Sequence, residues 1–140
     1  MALADHCVVM NNGRIDDEGP PERIYARPAT IFSASFMGES TLLGPGYLFK
    51  IAGLPGALRS YTLAVRPENL RLAPETGDVV LGEATVTGVT FQGSFTRVVA
   101  QSSADPTLSF IARVAAATQV RPGDAVTPSC RTADLIALKG

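Results

Sequence analysis

Tryptophan is absent from these 140 residues, tyrosine and phenylalanine supply only 6% of them, and there is a single histidine. A surface that grips single-stranded nucleic acid needs aromatic rings for base stacking inside a positive groove. Here aromatics are scarce, and 12 Lys and Arg against 13 Asp and Glu leave a formal net charge of −1. With no basic excess to attract a polyanion, a dedicated nucleic-acid binder is excluded. The two cysteines, Cys7 and Cys130, lie far apart with no metal-ligand spacing around them. They read as a reduced, inert pair rather than a disulfide framework. No apolar run approaches the roughly 20 residues that span a bilayer, and the N-terminus carries no signal-peptide h-region. The chain is therefore expected to be soluble and to meet a membrane only through partners.

Acid–base chemistry is also poorly provided for. His6 stands beside Asp5, but a general acid or base needs a partner and a pocket, and no other residue converges on it. Cys130 has no adjacent cation to lower its pKa. The run Asp16-Asp17-Glu18 lacks the alternating ligands of a calcium loop and reads as a solvated hairpin end.

What is present is enough for a folded core. Hydrophobic residues make up 46% of the chain, and a domain of this length hides roughly 68% of its unfolded surface. Cys7 to Met10 is strand-like, Asn12-Gly13 follows, and Ile15 opens a second extended piece. Asn-Gly between apolar runs predicts a hairpin, because both residues tolerate the positive φ of a type I′ turn. Pro21 at a first helical turn and Pro28 after it predict a helix of about two turns. Thr30 is placed to cap a second helix, with Phe32 and Phe36 four apart beside Ile31, and Gly38 to end it. The aromatic pair reads as packing onto a core, or as a face that docked against a larger body.

From about Leu42 the pattern changes to short extended runs broken by Gly and Pro. The expected strands are 47–52, 61–65, 69–72, 83–91, 94–101, 108–114, 125–129 and 135–138. Within the fourth, Ala84 and Val86 share one face while Val89 and Phe91 share the other, so a bulge is expected at Gly88. Many short strands with regular turns predict an all-β barrel or sandwich.

Two groups of residues carry a family resemblance. The first is Ala2-Leu3-Ala4-Asp5, the strand and Asn-Gly hairpin, the Pro21 helix with Ile24-Tyr25, and Phe32-x-Ala34-x-Phe36-x-Gly38. The second is Leu63-Ala64-Val65-Arg66-Pro67-Glu68-Asn69-Leu70, followed by Gly82, Val86, Val89, Phe91 and Gly93. Together they resemble the end of the ATP-hydrolysing subunit of bacterial ABC importers and the TOBE domain that follows it. The resemblance implies a mainly β, OB-like barrel of TOBE type over residues 40–140. A β-hairpin and two-helix remnant of the ATPase domain would precede it over residues 1–39. It departs from the family at Pro20, where a capping Thr is common, a loss of about 1 kcal/mol. His6 stands where arginine is common, and is not the family's switch histidine.

The sequence has no Gly-x-x-x-x-Gly-Lys-Ser/Thr loop, no signature motif and no Walker B strand. It cannot position a γ-phosphate. The resemblance therefore implies a non-catalytic accessory domain with no cofactor of its own, ATP and Mg belonging to the parent subunit. The implied partners are a second copy, the rest of the ATPase and the transporter's membrane subunits, at the cytoplasmic face of the inner membrane. Candidate contacts are Arg66 and Glu68, which either frame a Pro67-stiffened turn or hold a partner or small anion. Gln92, Gly93 and Ser94 form either a tight hairpin with Phe91 and Phe95 packed inward, or a concavity of backbone N–H groups for an oxyanion. Ile31, Phe32 and Phe36 form the candidate docking face. The alternative function is a barrel that senses an oxyanion or the transported solute.

Overall fold

A computed structural model describes residues 5–139, so the Ala2-Leu3-Ala4 part of the first motif lies outside the described residues. Strands β1 (Cys7–Asn11) and β2 (Arg14–Gly19) pair antiparallel as a hairpin. Its turn has Asn12 at φ 52 and Gly13 at φ 79, the two left-handed residues of the expected type I′ turn. Val9 and Asp17 face each other in the register and are both buried. On the opposite side of the hairpin Val8, Met10 and Ile15 are exposed.

Helix α1 (Pro21–Ala26) has no side-chain cap at Pro20. In α2 (Ile31–Met37), Thr30 accepts a hydrogen bond from the Ser33 amide at 3.1 Å, and Gly38 ends the helix. Asp17 holds this region together. Its carboxylate accepts from Arg23 Nη2 at 2.6 Å, the Ala29 amide at 2.8 Å and Ser33 Oγ at 2.8 Å. Burial alone would push this carboxyl upward, but the hydrogen bonds from Arg23, Ala29 and Ser33 outweigh it and hold Asp17 below its ordinary value.

The remainder is a curled half-barrel. Strand β3 (Thr41–Leu43) is followed by a single helical turn, α3 (Pro45–Leu48), and then β4 (Thr62–Val65) and β5 (Val79–Val80). Next come β6 (Ala84–Phe91), β7 (Phe95–Ser102), β8 (Ser109–Ala115), β9 (Ala125–Val126), β10 (Ser129–Cys130) and β11 (Ile136–Leu138). One sheet has the order β11-β4-β3, another β8-β7-β6-β9, and β5 pairs with β10. These strand pairings are all antiparallel. The two larger sheets approach at one side, where Ile111 N donates to Thr41 Oγ1 at 2.9 Å. Between them Leu43, Leu63, Val65, Val86, Val98 and Phe110 form part of one buried core. Alternation along β7 and β8 puts Val98, Ala100, Phe110 and Ala112 inside, as the period-two pattern predicts.

The irregularity in β6 falls between Val86 and Gly88, where the register shifts at Thr87. Three expected strands differ. Residues 47–52 are not extended: Pro45 starts a helical turn in which Gly44 O accepts from the Tyr47 and Leu48 amides. Tyr47, Leu48 and Ile51 then share one buried helical face. Residues 69–72 contribute only an Arg71–Ser129 bridge, because Pro67 begins a 3-10 turn over Pro67–Asn69. Residues 125–129 split into two short strands on different partners, with Pro128, which has no N–H to continue a ladder, at the break.

Gly82 is fixed by contact. Its φ is +147, and a Cβ there would collide with the Tyr47 hydroxyl. That hydroxyl donates to Leu81 O at 2.6 Å, so the backbone must pass this close for the buried tyrosine to find its acceptor.

Candidate functional site

Arg66 and Glu68 leave β4 in opposite environments. Arg66 is 1% exposed and is the largest fully buried side chain among the described residues. Its Nε and Nη2 donate to Tyr25 O at 3.1 and 2.9 Å. Nη1 lies among Ala34 O at 3.1 Å, Gly38 O at 3.2 Å, Glu39 O at 3.1 Å and Ser40 Oγ at 2.8 Å. The guanidinium stacks on the Tyr25 ring, 4.1 Å from its centroid. Burial lowers the Arg66 pKa from its ordinary value, although an arginine remains charged at any physiological pH. Nε, Nη1 and Nη2 each donate within the chain, so the guanidinium is held mainly by the protein's own carbonyls.

Glu68 is exposed and accepts from the Tyr25 hydroxyl at 2.8 and 3.0 Å. Partial burial, and then the Glu68 carboxylate, push the Tyr25 phenol up to about 12. The Arg-Pro-Glu run is thus a turn, as its proline suggests, and both flanking charges grip the same tyrosine. Sequence reasoning missed Tyr25 because nothing local links residues 41 positions apart.

Gln92, Gly93 and Ser94 sit exposed at the tip of the β6–β7 hairpin, with Gly93 at φ 90. The inward packing expected of the two flanking phenylalanines does not occur. Phe91 is 68% exposed, and Phe95 is half-buried beneath Arg113, whose guanidinium carbon lies 3.8 Å from the ring centroid. The bulge at Thr87 puts Val89 and Phe91 on the face of Val98 and Thr96, but Phe91 is the last residue of β6, next to the exposed tip, and its ring stays on the surface.

Of the three residues expected to form a docking face, Ile31 turns inward and packs with Ala34, Ala64 and Leu138 against the barrel. Phe32 and Phe36 face outward, stacked with ring centroids 6.4 Å apart, and Phe36 is 61% exposed. The bare hairpin face of Val8, Met10 and Ile15 is a second apolar surface on the same segment. Cys7 to Met10 is a continuous apolar run, so only the pairing shows which face is covered.

His6 Nε2 lies 3.1 Å from Glu18 Oε2, both groups exposed. Cys130 is buried, and its thiol is pushed by burial up to about 12. Among the described residues no cluster of three His, Cys, Asp or Glu is placed to hold a metal ion. No helix there is long and apolar enough to cross a membrane. Two clefts flank the Arg66 region. One of about 400 Å³ borders Tyr25, Glu68 and Asp134, and a shallower one of about 480 Å³ borders Ser35, Glu39 and Ile111.

The TOBE domain profile matches residues 63–138, from β4 to the last residue of β11. This chain belongs to the TOBE domain family. Its relatives are ATP-binding subunits of ABC importers, in which the TOBE domain is a non-catalytic C-terminal domain. It is similar to the Fe(3+) ions import ATP-binding protein of Streptomyces coelicolor, 32% identical over 99% of this chain and 41% of that protein. The sn-glycerol-3-phosphate import ATP-binding protein of Chromobacterium violaceum is 38% identical over 57% of this chain and 26% of its own length. The spermidine/putrescine import ATP-binding protein of Bacillus thuringiensis is 36% identical over 51% and 18%. The chain thus spans less than half the length of these curated relatives.

Proposed function

We propose that this TOBE chain works by contact: it supports the pairing of two ATP-binding subunits of an importer and passes a regulatory signal between them. Residues 40–140 are the accessory barrel, and residues 1–39 belong to the ATPase domain. The observation that carries this reading is the pair of uncovered apolar faces, Val8/Met10/Ile15 and Phe32/Phe36, on a segment otherwise well packed. Such faces are contact surfaces looking for a partner, and the larger size of the relatives supplies one, the rest of an ATPase domain. The exposed hairpin tip at Gln92, Gly93 and Ser94, with Phe91 beside it, is the proposed meeting point with a second copy, related by a two-fold axis. In the full subunit the assembly would sit at the cytoplasmic face of the inner membrane, beside the transporter's membrane subunits. A signal shifts such an assembly only by making different contacts in its two states.

A second reading, a barrel that senses an oxyanion or the transported solute, rests on the backbone N–H groups near Gly93 and Ser94. The two readings separate in one set of measurements on the purified chain. Pairing predicts an apparent mass that rises with concentration in light scattering. It also predicts no thermal stabilisation by sulfate, molybdate, phosphate, polyamines, sugars or ferric complexes. A constant monomer mass with one solute raising Tm would overturn pairing in favour of sensing.

A further inference from the structure

We propose that Arg66 is a transmission joint, which makes the hairpin-and-helix segment through Glu39 move with the barrel as one body rather than hinge against it. The inference goes beyond the pairing function, because it concerns where motion passes and not what it is for.

The chemistry starts from an unusual neutralisation. Arg66 is buried, yet among the described residues it forms no ion pair with a carboxylate. Its acceptors are instead the carbonyl of Tyr25, in the last turn of α1, and those of Ala34, Gly38 and Glu39, in and just after α2. Carbonyls at helix C-termini lack intrahelical partners and carry the negative end of the peptide dipoles. Two helix ends therefore converge on one cation, and that cation is anchored on the residue after β4. β4 is the central strand of its sheet, with β3 and β11 on either side, and its Leu63 and Val65 lie in the main core. Displacing α1 or α2 from the barrel would strip a buried guanidinium of part of its acceptors and leave the departing carbonyls without their donor. Removing one partner of such a set costs far more than the set contributes net.

Glu68 closes the arrangement into a ring. The Arg66 side chain holds the Tyr25 carbonyl and ring face, the Tyr25 hydroxyl donates to Glu68, and buried Pro67 fixes the short turn back to Arg66. Tyr25 is thus clamped at both ends by residues two apart. Two further ties lie outside the ring: the Arg97–Glu39 ion pair, and the bridge in which Ile31 N donates to Lys139 O at 3.4 Å.

Hydrogen exchange on the 140-residue chain tests this directly. In increasing urea, peptides from 21–39 and from 62–66 are expected to lose protection together, as one cooperative unit. Arg66→Lys keeps the charge but loses the planar fork. It is expected to speed exchange in 21–39 by roughly tenfold or more, while peptides of β6 to β8 stay unchanged. Should that variant fail to fold, Tyr25→Phe removes only the hydroxyl bond to Glu68, and a several-fold acceleration confined to 21–39 is expected. Opening of 21–39 in the unsubstituted chain at lower urea than the barrel would overturn the proposal. So would unchanged exchange in both variants. Neither result bears on whether two copies pair, which light scattering reads separately.

Discussion

Two phenylalanines of this chain sit in opposite environments, and substituting each gives opposite results if the contact reading is right. Phe110 is 1% exposed, inside the half-barrel, with its ring edge-on to Tyr47 at 6.5 Å. Phe110→Ala removes a buried ring and leaves a cavity, a loss of about 3–5 kcal/mol. A domain of this size has roughly 5–15 kcal/mol in total. Phe36 is 61% exposed and its ring stacks on Phe32. Its stacking is worth about 0.5–1.5 kcal/mol at most, and serine and phenylalanine have similar helix propensities. Phe36→Ser should therefore cost below about 1 kcal/mol. Urea unfolding followed by far-ultraviolet circular dichroism, suitable for a chain without tryptophan, gives both values from the shift in midpoint at constant m. Phe36→Ser should also lower the affinity of the chain for an ATPase body supplied in trans. A stability loss for Phe36→Ser as large as that for Phe110→Ala would show that the ring packs within the chain, and the docking face would be lost.

The remaining expectations concern two titrating groups. Asp17 has a depressed pKa in the fold, so its stabilisation is fully present above its unfolded value of about 3.9 and is lost as pH falls through the lower folded value. Asp17→Asn should remove this part of the acid dependence of unfolding while lowering stability at neutral pH, and an unchanged pH profile would contradict the hub assigned to Asp17. Burial keeps the Cys130 thiol protonated, so a thiol reagent at pH 8 should label half-buried Cys7 and reach Cys130 only on unfolding. Equal labelling rates in the folded protein would show that the β5–β10 edge opens.

Local signals were legible in the sequence. Asn12-Gly13 and Thr30 act over a few residues, and the structure realises both as read. Alternation likewise located β7 and β8, since sides of a sheet follow directly from period two. Residues 47–52 read as a strand because Tyr47, Leu48 and Ile51 are too few to separate a helical face from a strand. The role of Arg66 was not legible. A buried arginine is identified by its acceptors, and here they lie 26–41 residues earlier in the chain. The exposed hairpin face was half legible: its apolar residues could be counted, but which side stays uncovered depends on Asp17 drawing the helices to the other side.

Pairing through the β6–β7 tip can be caught covalently. Ser94→Cys, made with Cys7→Ser so that only buried Cys130 remains, should form a disulfide-linked dimer on mild oxidation. Its yield should rise with protein concentration, and a control cysteine at exposed Ser103 should give little. Absence of the Ser94 crosslink, with the chain sedimenting as a monomer at every concentration tried, would contradict the account.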